Sequence, residues 1–177
     1  MRVIRADKRF WLGAGLVAAL VVVGAVAVNA TAYHAGGPLA QVDEIAVRFP
    51  LEVGQPGTWG MVLPPNDAAE PIVIESVEAV DPTGLDVIGI TTNDPDRDGG
   101  IGAVEGYPPR GAHTSEVAGS VVPPVGSAAR HLQLLIGVMR TTATEGSIAS
   151  LRIRYSFGDE RFEDVLPWAL RTIDPPS

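Results

Sequence analysis

The sequence predicts an all-β domain, built as a β-sandwich and preceded by one N-terminal transmembrane helix. Short runs of β-branched residues, separated by proline and glycine, follow one another after residue 40. A long uncharged run follows a basic start. The sequence contains no cysteine, so the hydrophobic core must hold the domain together without disulfides.

The first predicted element is the uncharged segment from Phe10 to Ala32, which follows a basic tail at residues 1–9. As an α-helix its 23 residues span roughly 35 Å, which is enough to cross a hydrocarbon core of about 30 Å. Basic residues favour the cytoplasmic side of a membrane. We therefore expect a single-pass protein of the cell membrane, with a cytoplasmic N-terminus and an extracytoplasmic C-terminal domain.

A cleaved export signal is the alternative for the same segment, because Ala30-Thr31-Ala32 fits a small-x-small cleavage site. The apolar stretch from Phe10 to Val28 is longer than the ~7–15 residues of a signal core, and this length favours a retained helix. Both alternatives place the remaining chain outside the cytoplasm.

The chain after the predicted helix is strongly acidic. Residues 33–177 contain nine basic and twenty acidic residues, a formal net charge of −11. Such a domain repels phosphate backbones, so no nucleic-acid partner is expected. The Gly36-Gly37-Pro38 motif indicates a tether over residues 33–40, and residues 41–177 are long enough to form one domain with its own core.

Alternating apolar residues predict the strands of this domain in order. The first covers Ile45 to Phe49 and the second covers Trp59 to Leu63, where Pro64 and Pro65 stop it. The third covers Ile72 to Val80 and ends at an Asp-Pro-Thr-Gly turn. The run from Leu85 to Thr91 follows this turn, so we expect it to pair with the third strand as a hairpin.

The second half of the domain continues the same pattern. Val117 to Val122 is a weaker strand, and His131 to Arg140 has the spacing of either a strand or a helix. Gly137 weakens a helix there and favours the strand. Leu151 to Phe157 and Arg161 to Leu166, joined by a Gly-Asp-Glu turn, form the clearest hairpin. Seven or eight short strands predict a sandwich of the immunoglobulin-like type.

Several short motifs are spread over most of this domain: Thr58-Trp59-Gly60 with Asn66, Gly106-Tyr107-Pro108-Pro109, Leu135-Ile136-Gly137-Val138, and Ile153-Arg154-Tyr155. With them the layout resembles that of small bacterial single-pass membrane proteins that carry one extracytoplasmic immunoglobulin-like domain. That group has no assigned activity. The resemblance therefore implies a fold and a location, and no catalytic residue.

Residues 94–105, DPDRDGGIGAVE, match the pattern D-x-D-x-D-G followed by glutamate at the twelfth position. The segment resembles the calcium loop of EF-hand proteins, in which alternate carboxylates point oxygen atoms at one ion. The resemblance implies a calcium site in which the side chains of Asp94, Asp96 and Asp98, the carbonyl of Gly100 and both carboxylate oxygens of Glu105 are ligands.

The surroundings of this motif differ from those of an EF-hand, whose loop lies between two helices. Here a strand-like run precedes residue 94, and Gly106-Tyr107-Pro108-Pro109 follows residue 105 and cannot continue as a helix. A solvated acidic loop between strands is the alternative. Calcium is thus the one cofactor that the sequence indicates.

Arg152 and Arg154 lie on the outward face of one predicted strand, with Arg161 and Glu163 across the turn. Two interpretations stay open for them: a cross-strand ladder of charges, or a docking patch for an acidic partner.

Motifs of catalysis are missing from the sequence. No GxSxG, HExxH, phosphate-binding loop or GxGxxG occurs, and His34, His113 and His131 are far apart along the chain. We expect no enzyme. The function expected is that of a non-enzymatic interaction or accessory domain of the bacterial cell envelope, with a protein partner. A calcium-dependent binding or adhesion module is the alternative, and a hydrolase that uses the carboxylates of residues 94–105 ranks last.

Overall fold

The computed structural model describes residues 32–127 and 131–176. The predicted transmembrane segment lies outside these residues except for Ala32. Within the described ranges no helix is long and apolar enough to span a membrane. Residues 33–177 form one compact unit.

The domain is all-β, as predicted. Its described residues form twelve strands: β1 (Ile45–Pro50), β2 (Pro56–Val62), β3 (Ile72–Val80), β4 (Leu85–Asn93), β5 (Ala103–Glu105), β6 (Ser115–Glu116), β7 (Val121–Val122), β8 (Gln133–Arg140), β9 (Gly146–Ile148), β10 (Ser150–Phe157), β11 (Glu160–Leu166) and β12 (Trp168–Ile173). The one helix they contain is the single turn α1 (Pro95–Asp98).

These strands form three sheets, with the orders β11-β10-β3-β7, β5-β2-β8-β4-β6 and β1-β12-β9. All pairs are antiparallel except β1 with β12, which run parallel. Each sheet contributes one face to a single hydrophobic core; Ile153, Ile136 and Leu170 are examples from the three sheets. Alternate residues of each strand point to opposite faces, which is why the period-two pattern located the core strands.

The predicted strands at Ile45, Trp59 and Ile72 and the hairpin of β10 with β11 are present. The ambiguous segment at residues 131–140 is a strand, β8, at the centre of the five-stranded sheet.

The predicted hairpin between the third and fourth strands is wrong. β3 pairs with β10 and β7, whereas β4 pairs with β8 and β6 in another sheet. The turn between β3 and β4 is bound to the third sheet: Thr83 exchanges backbone hydrogen bonds of 2.8 and 2.7 Å with Ser147 of β9. The Asp-Pro-Thr-Gly turn therefore moves the chain from one sheet to another.

Two further predictions differ from the structure. Of the weak strand predicted from Val117 to Val122, only Val121–Val122 is a strand, β7; residues 117–120 are not in a strand and separate β7 from β6, which belongs to another sheet. The predicted tether at residues 33–40 is bound to the domain: Leu39 is fully buried in the core, and its N–H donates to the hydroxyl of Tyr155. A Gly-Gly-Pro motif is common in flexible linkers, but here it carries a buried anchor residue.

Candidate functional sites

The structure places the first three predicted calcium ligands around the helical turn α1. Asp94 caps this turn, and its Oδ1 accepts hydrogen bonds from the backbone N–H groups of Asp96 (2.9 Å) and Arg97 (3.3 Å). This is the usual role of an aspartate at a helix N-cap, where it satisfies free backbone donors. The Asp94 side chain is thus used by its own turn.

Histidines bind the other two carboxylates of the turn. Nδ1 of His131 lies 3.1 Å from Asp96, and Nδ1 of His113 lies 2.8 Å from Asp98, which also accepts from Arg97. The hydrogen bond from Arg97 and, after it, the one with His113 lower the pKa of Asp98 to about 2. The sequence indicated no role for these two histidines, because the contacts join residues 15 and 35 positions apart.

The remaining predicted ligands are Gly100, which is exposed and lies outside helices, strands and turns, and Glu105, in strand β5 opposite Gly57. Over residues 32–127 and 131–176, no three acidic or histidine side chains lie together in a group that could hold a metal ion. Calcium binding therefore stays a prediction from the motif.

The segment after α1 covers the outer face of the five-stranded sheet. The ring of Tyr107 lies over Gly89 and Gly137, where a Cβ atom would come within 2.7 and 2.4 Å of it. Gln133 holds the same segment through hydrogen bonds with the backbone of Ile101. Glycine within a strand is the sequence signal for such a close approach.

Beside this covering segment are two shallow clefts, of about 440 and 590 Å³, which share Glu105 and Arg110 in their walls. Neither side chain is bonded to another described residue. The clefts are wide and contain no catalytic pair of nucleophile and base. They offer contact surface, and we assign them no chemistry.

The second group of candidate residues lies on the outer face of the four-stranded sheet. Arg152 and Arg154 contact Glu78 and Glu163 across the strands, at 2.7 to 3.5 Å. Beside them Arg161 binds both Tyr33 and Glu75, and its hydrogen bond lowers the pKa of the Glu75 carboxyl. Each of these arginines has a glutamate partner, which matches the ladder of charges.

The outer face of the third sheet, β1-β12-β9, has the opposite character. Arg48 of β1 and Arg171 of β12 are register partners and are exposed. Neither has a hydrogen bond or ion pair with any described residue. The three strands contain no acidic residue. In a domain with more than twice as many acidic as basic residues, this face has two adjacent positive charges without counter-ions.

Other buried polar groups support the fold. Arg140 is 1% exposed, and its guanidinium donates to four backbone carbonyls and to Asp174. Tyr155 donates to Asp164, and burial together with this bond raises its pKa. These contacts fix the segments that enter and leave the core, so we assign them no binding role.

Comparisons with known proteins give little further information. No protein-family model matches the chain, and no curated protein matches it. Among solved structures, a PapD-like domain of human CEP192 (PapD-like domain 7) covers 80% of this chain and 90% of its own, with 9% sequence identity and a TM-score of 0.34. That likeness is too weak to assign a function.

Proposed function

We propose that this chain is a membrane-anchored interaction domain of the bacterial cell envelope, without enzymatic activity, and that its twelve strands form an immunoglobulin-like sandwich. The N-terminal segment would span the membrane with its basic end in the cytoplasm, and residues 33–177 would face a protein partner outside. The basic start and the uncharged run from Phe10 to Ala32 support the location.

The observation that carries the interaction role is the open edge of β1 beside the face with Arg48 and Arg171. In the third sheet β1 pairs only with β12, so its other side has no neighbouring strand among the described residues. An edge strand presents unpaired N–H and C=O groups to any chain that approaches it. Natural domains blunt such edges with charged residues and proline, and β1 has only Arg48 and, at its end, Pro50 in these roles.

Co-purification tests this function directly. The full chain is purified from membranes with mild detergent, and its orientation is checked by protease digestion of intact cells. We expect a stoichiometric protein partner and cleavage of the C-terminal domain from outside. The proposal would be contradicted if the chain purified without a partner even after chemical cross-linking of the cells. It would also be contradicted if the C-terminal domain resisted the protease in intact cells.

A further inference from the structure

We propose that the face of the β1-β12-β9 sheet binds an acidic, extended segment of a partner protein, which adds as a strand to the open edge of β1 and places a carboxylate beside Arg48 and Arg171. This inference rests on the proposed interaction function and names the chemistry of the partner.

The main-chain geometry of β1 provides the first step. In a parallel pair, alternate residues point their N–H and C=O groups to the same neighbour. The N–H of Ile45 donates to the carbonyl of Pro167, and that of Leu51 donates to the carbonyl of Ile173. Residues at odd positions from 45 to 51 therefore direct their main-chain groups to β12. The main-chain N–H and C=O groups of Ala46 and Arg48, at the even positions, point away from it. Within the described chain they have no partner.

The side-chain geometry provides the second step. Arg48 and Arg171 are register partners on neighbouring strands, so both side chains lie on the same face, with Ser147 of β9 next in the row. Like charges directly opposite each other in a sheet are destabilising. Protection of an edge would explain Arg48, but Arg171 lies on the central strand of the sheet. An anionic partner accounts for both arginines.

The two steps together define the partner. Neighbouring strands lie about 4.8 Å apart, so a residue that pairs with Arg48 on an added strand is its neighbour on the same face. A carboxylate at that position accepts charge-assisted hydrogen bonds from guanidinium groups, which are the stronger kind. The flanking residues on this face, Ala46 and Ala169, are small and leave the approach open.

An anionic lipid surface would satisfy the arginines but leave the edge groups of Ala46 and Arg48 unused. Residues 33–177 also have a net charge of −11, and this charge repels a dense layer of negative headgroups more strongly than it repels a short acidic peptide. The surface therefore fits an extended acidic segment better than a membrane.

The test uses the full chain in non-ionic detergent and a short fluorescent peptide of alternating threonine and glutamate. A matched peptide has glutamine in place of glutamate, and another has lysine. We expect the glutamate peptide to bind about tenfold tighter than the glutamine peptide, a difference of ~1.4 kcal/mol. The double variant Arg48→Ser/Arg171→Ser, with an unchanged melting temperature, should lose this preference. The control Arg110→Ser, which removes an exposed arginine from another part of the domain, should keep it.

A second variant covers the case in which the serine substitutions unfold the domain. Arg48→Glu/Arg171→Glu keeps two charges on the face and should prefer the lysine peptide. Equal binding of the glutamate and glutamine peptides by the unchanged chain would overturn the inference. So would tighter binding to phosphatidylglycerol vesicles than to the glutamate peptide. A native partner that the serine variant captures as well as the unchanged chain does would leave the proposed function standing and overturn this inference alone.

Discussion

The hydroxyl of Tyr155 donates a 2.5 Å hydrogen bond to the carboxylate of Asp164, and the two residues lie on the paired strands β10 and β11. The same hydroxyl accepts from the N–H of Leu39, and the other carboxylate oxygen accepts from the N–H of Gly36. Two side chains of one hairpin thus hold the N-terminal segment of the domain. This relationship explains why the predicted tether is part of the fold.

Replacement Tyr155→Phe should destabilise the domain by about 1–3 kcal/mol, because it leaves the carboxylate of Asp164, 4% exposed, without its hydroxyl donor. Urea unfolding measures the change. Tyr107→Phe is the matched control, since the Tyr107 hydroxyl has no hydrogen bond with a described residue. Faster amide exchange at residues 36–39 should accompany the loss. Equal effects of the two substitutions would contradict this account.

Replacement Arg140→Met should cost roughly 3–5 kcal/mol, because it removes the only described side chain that bonds to the carbonyls of Leu51 and Ala143. Asp174→Asn is the control. Its side chain is exposed, and Arg140 keeps its four carbonyl acceptors without it, so we expect this loss to cost only about 0–1 kcal/mol. Thermal and urea unfolding of both variants would show whether the guanidinium or the ion pair matters.

Replacement Gly137→Ala should destabilise the domain by about 1–3 kcal/mol, because the added Cβ would meet the ring of Tyr107 at 2.4 Å. Gly102→Ala is the control, since nothing lies within 4 Å of its Cβ position. If the segment did not cover the sheet, alanine at position 137 would be neutral or slightly stabilising, because glycine is unfavourable inside a strand.

The carboxyl of Asp98 should titrate at about pH 2 in an NMR pH series. Its pKa is below the ordinary value of 3.8, so its contribution to stability is present above pH 3.8 and is lost as the pH falls through 2. Arg97→Gln should raise this pKa more than His113→Asn does, because the Arg97 hydrogen bond is the larger cause. A pKa of 3.8 in the unchanged chain would show that these contacts are absent in solution.

Calcium titration tests the site that the motif predicts. If the site exists, ~10 mM calcium should raise the melting temperature of the chain, and Glu105→Gln should remove the increase. Glu116→Gln is the control, because it changes the same charge outside the motif. If calorimetry detects no heat of calcium binding and the melting temperature does not change at this concentration, the site is ruled out. The acidic turn would then be a loop held by Arg97 and by its contacts with His113 and His131.

The sequence predicted the local features of this fold better than its pairing. Alternation located β3 and β10 because each presents one face to the core. The predicted pairing of β4 with β3 was wrong because a turn motif indicates that the chain reverses direction but does not indicate which strand it pairs with afterwards. Likewise, nothing local shows that Arg48 and Arg171 become neighbours, since they are 123 positions apart and only the parallel pairing of β1 and β12 joins them.

The candidate site shows the same limit. The spacing of the acidic residues at 94–105 suggested a calcium loop, whereas the contacts of Asp96 and Asp98 with His131 and His113 depend on how the following segment folds over the sheet. Glycines at positions 89 and 137 carry that information, but only once the strands that contain them are known to be neighbours.

Site-specific cross-linking tests the central claim, that the open edge of β1 is where this domain meets a protein partner. A photo-reactive residue is placed at Ala46 of the full chain in living cells, and for comparison at Asp159 in the β10–β11 turn. We predict one discrete adduct from position 46 that position 159 does not give. No adduct from position 46, or the same adducts from both positions, would contradict the account.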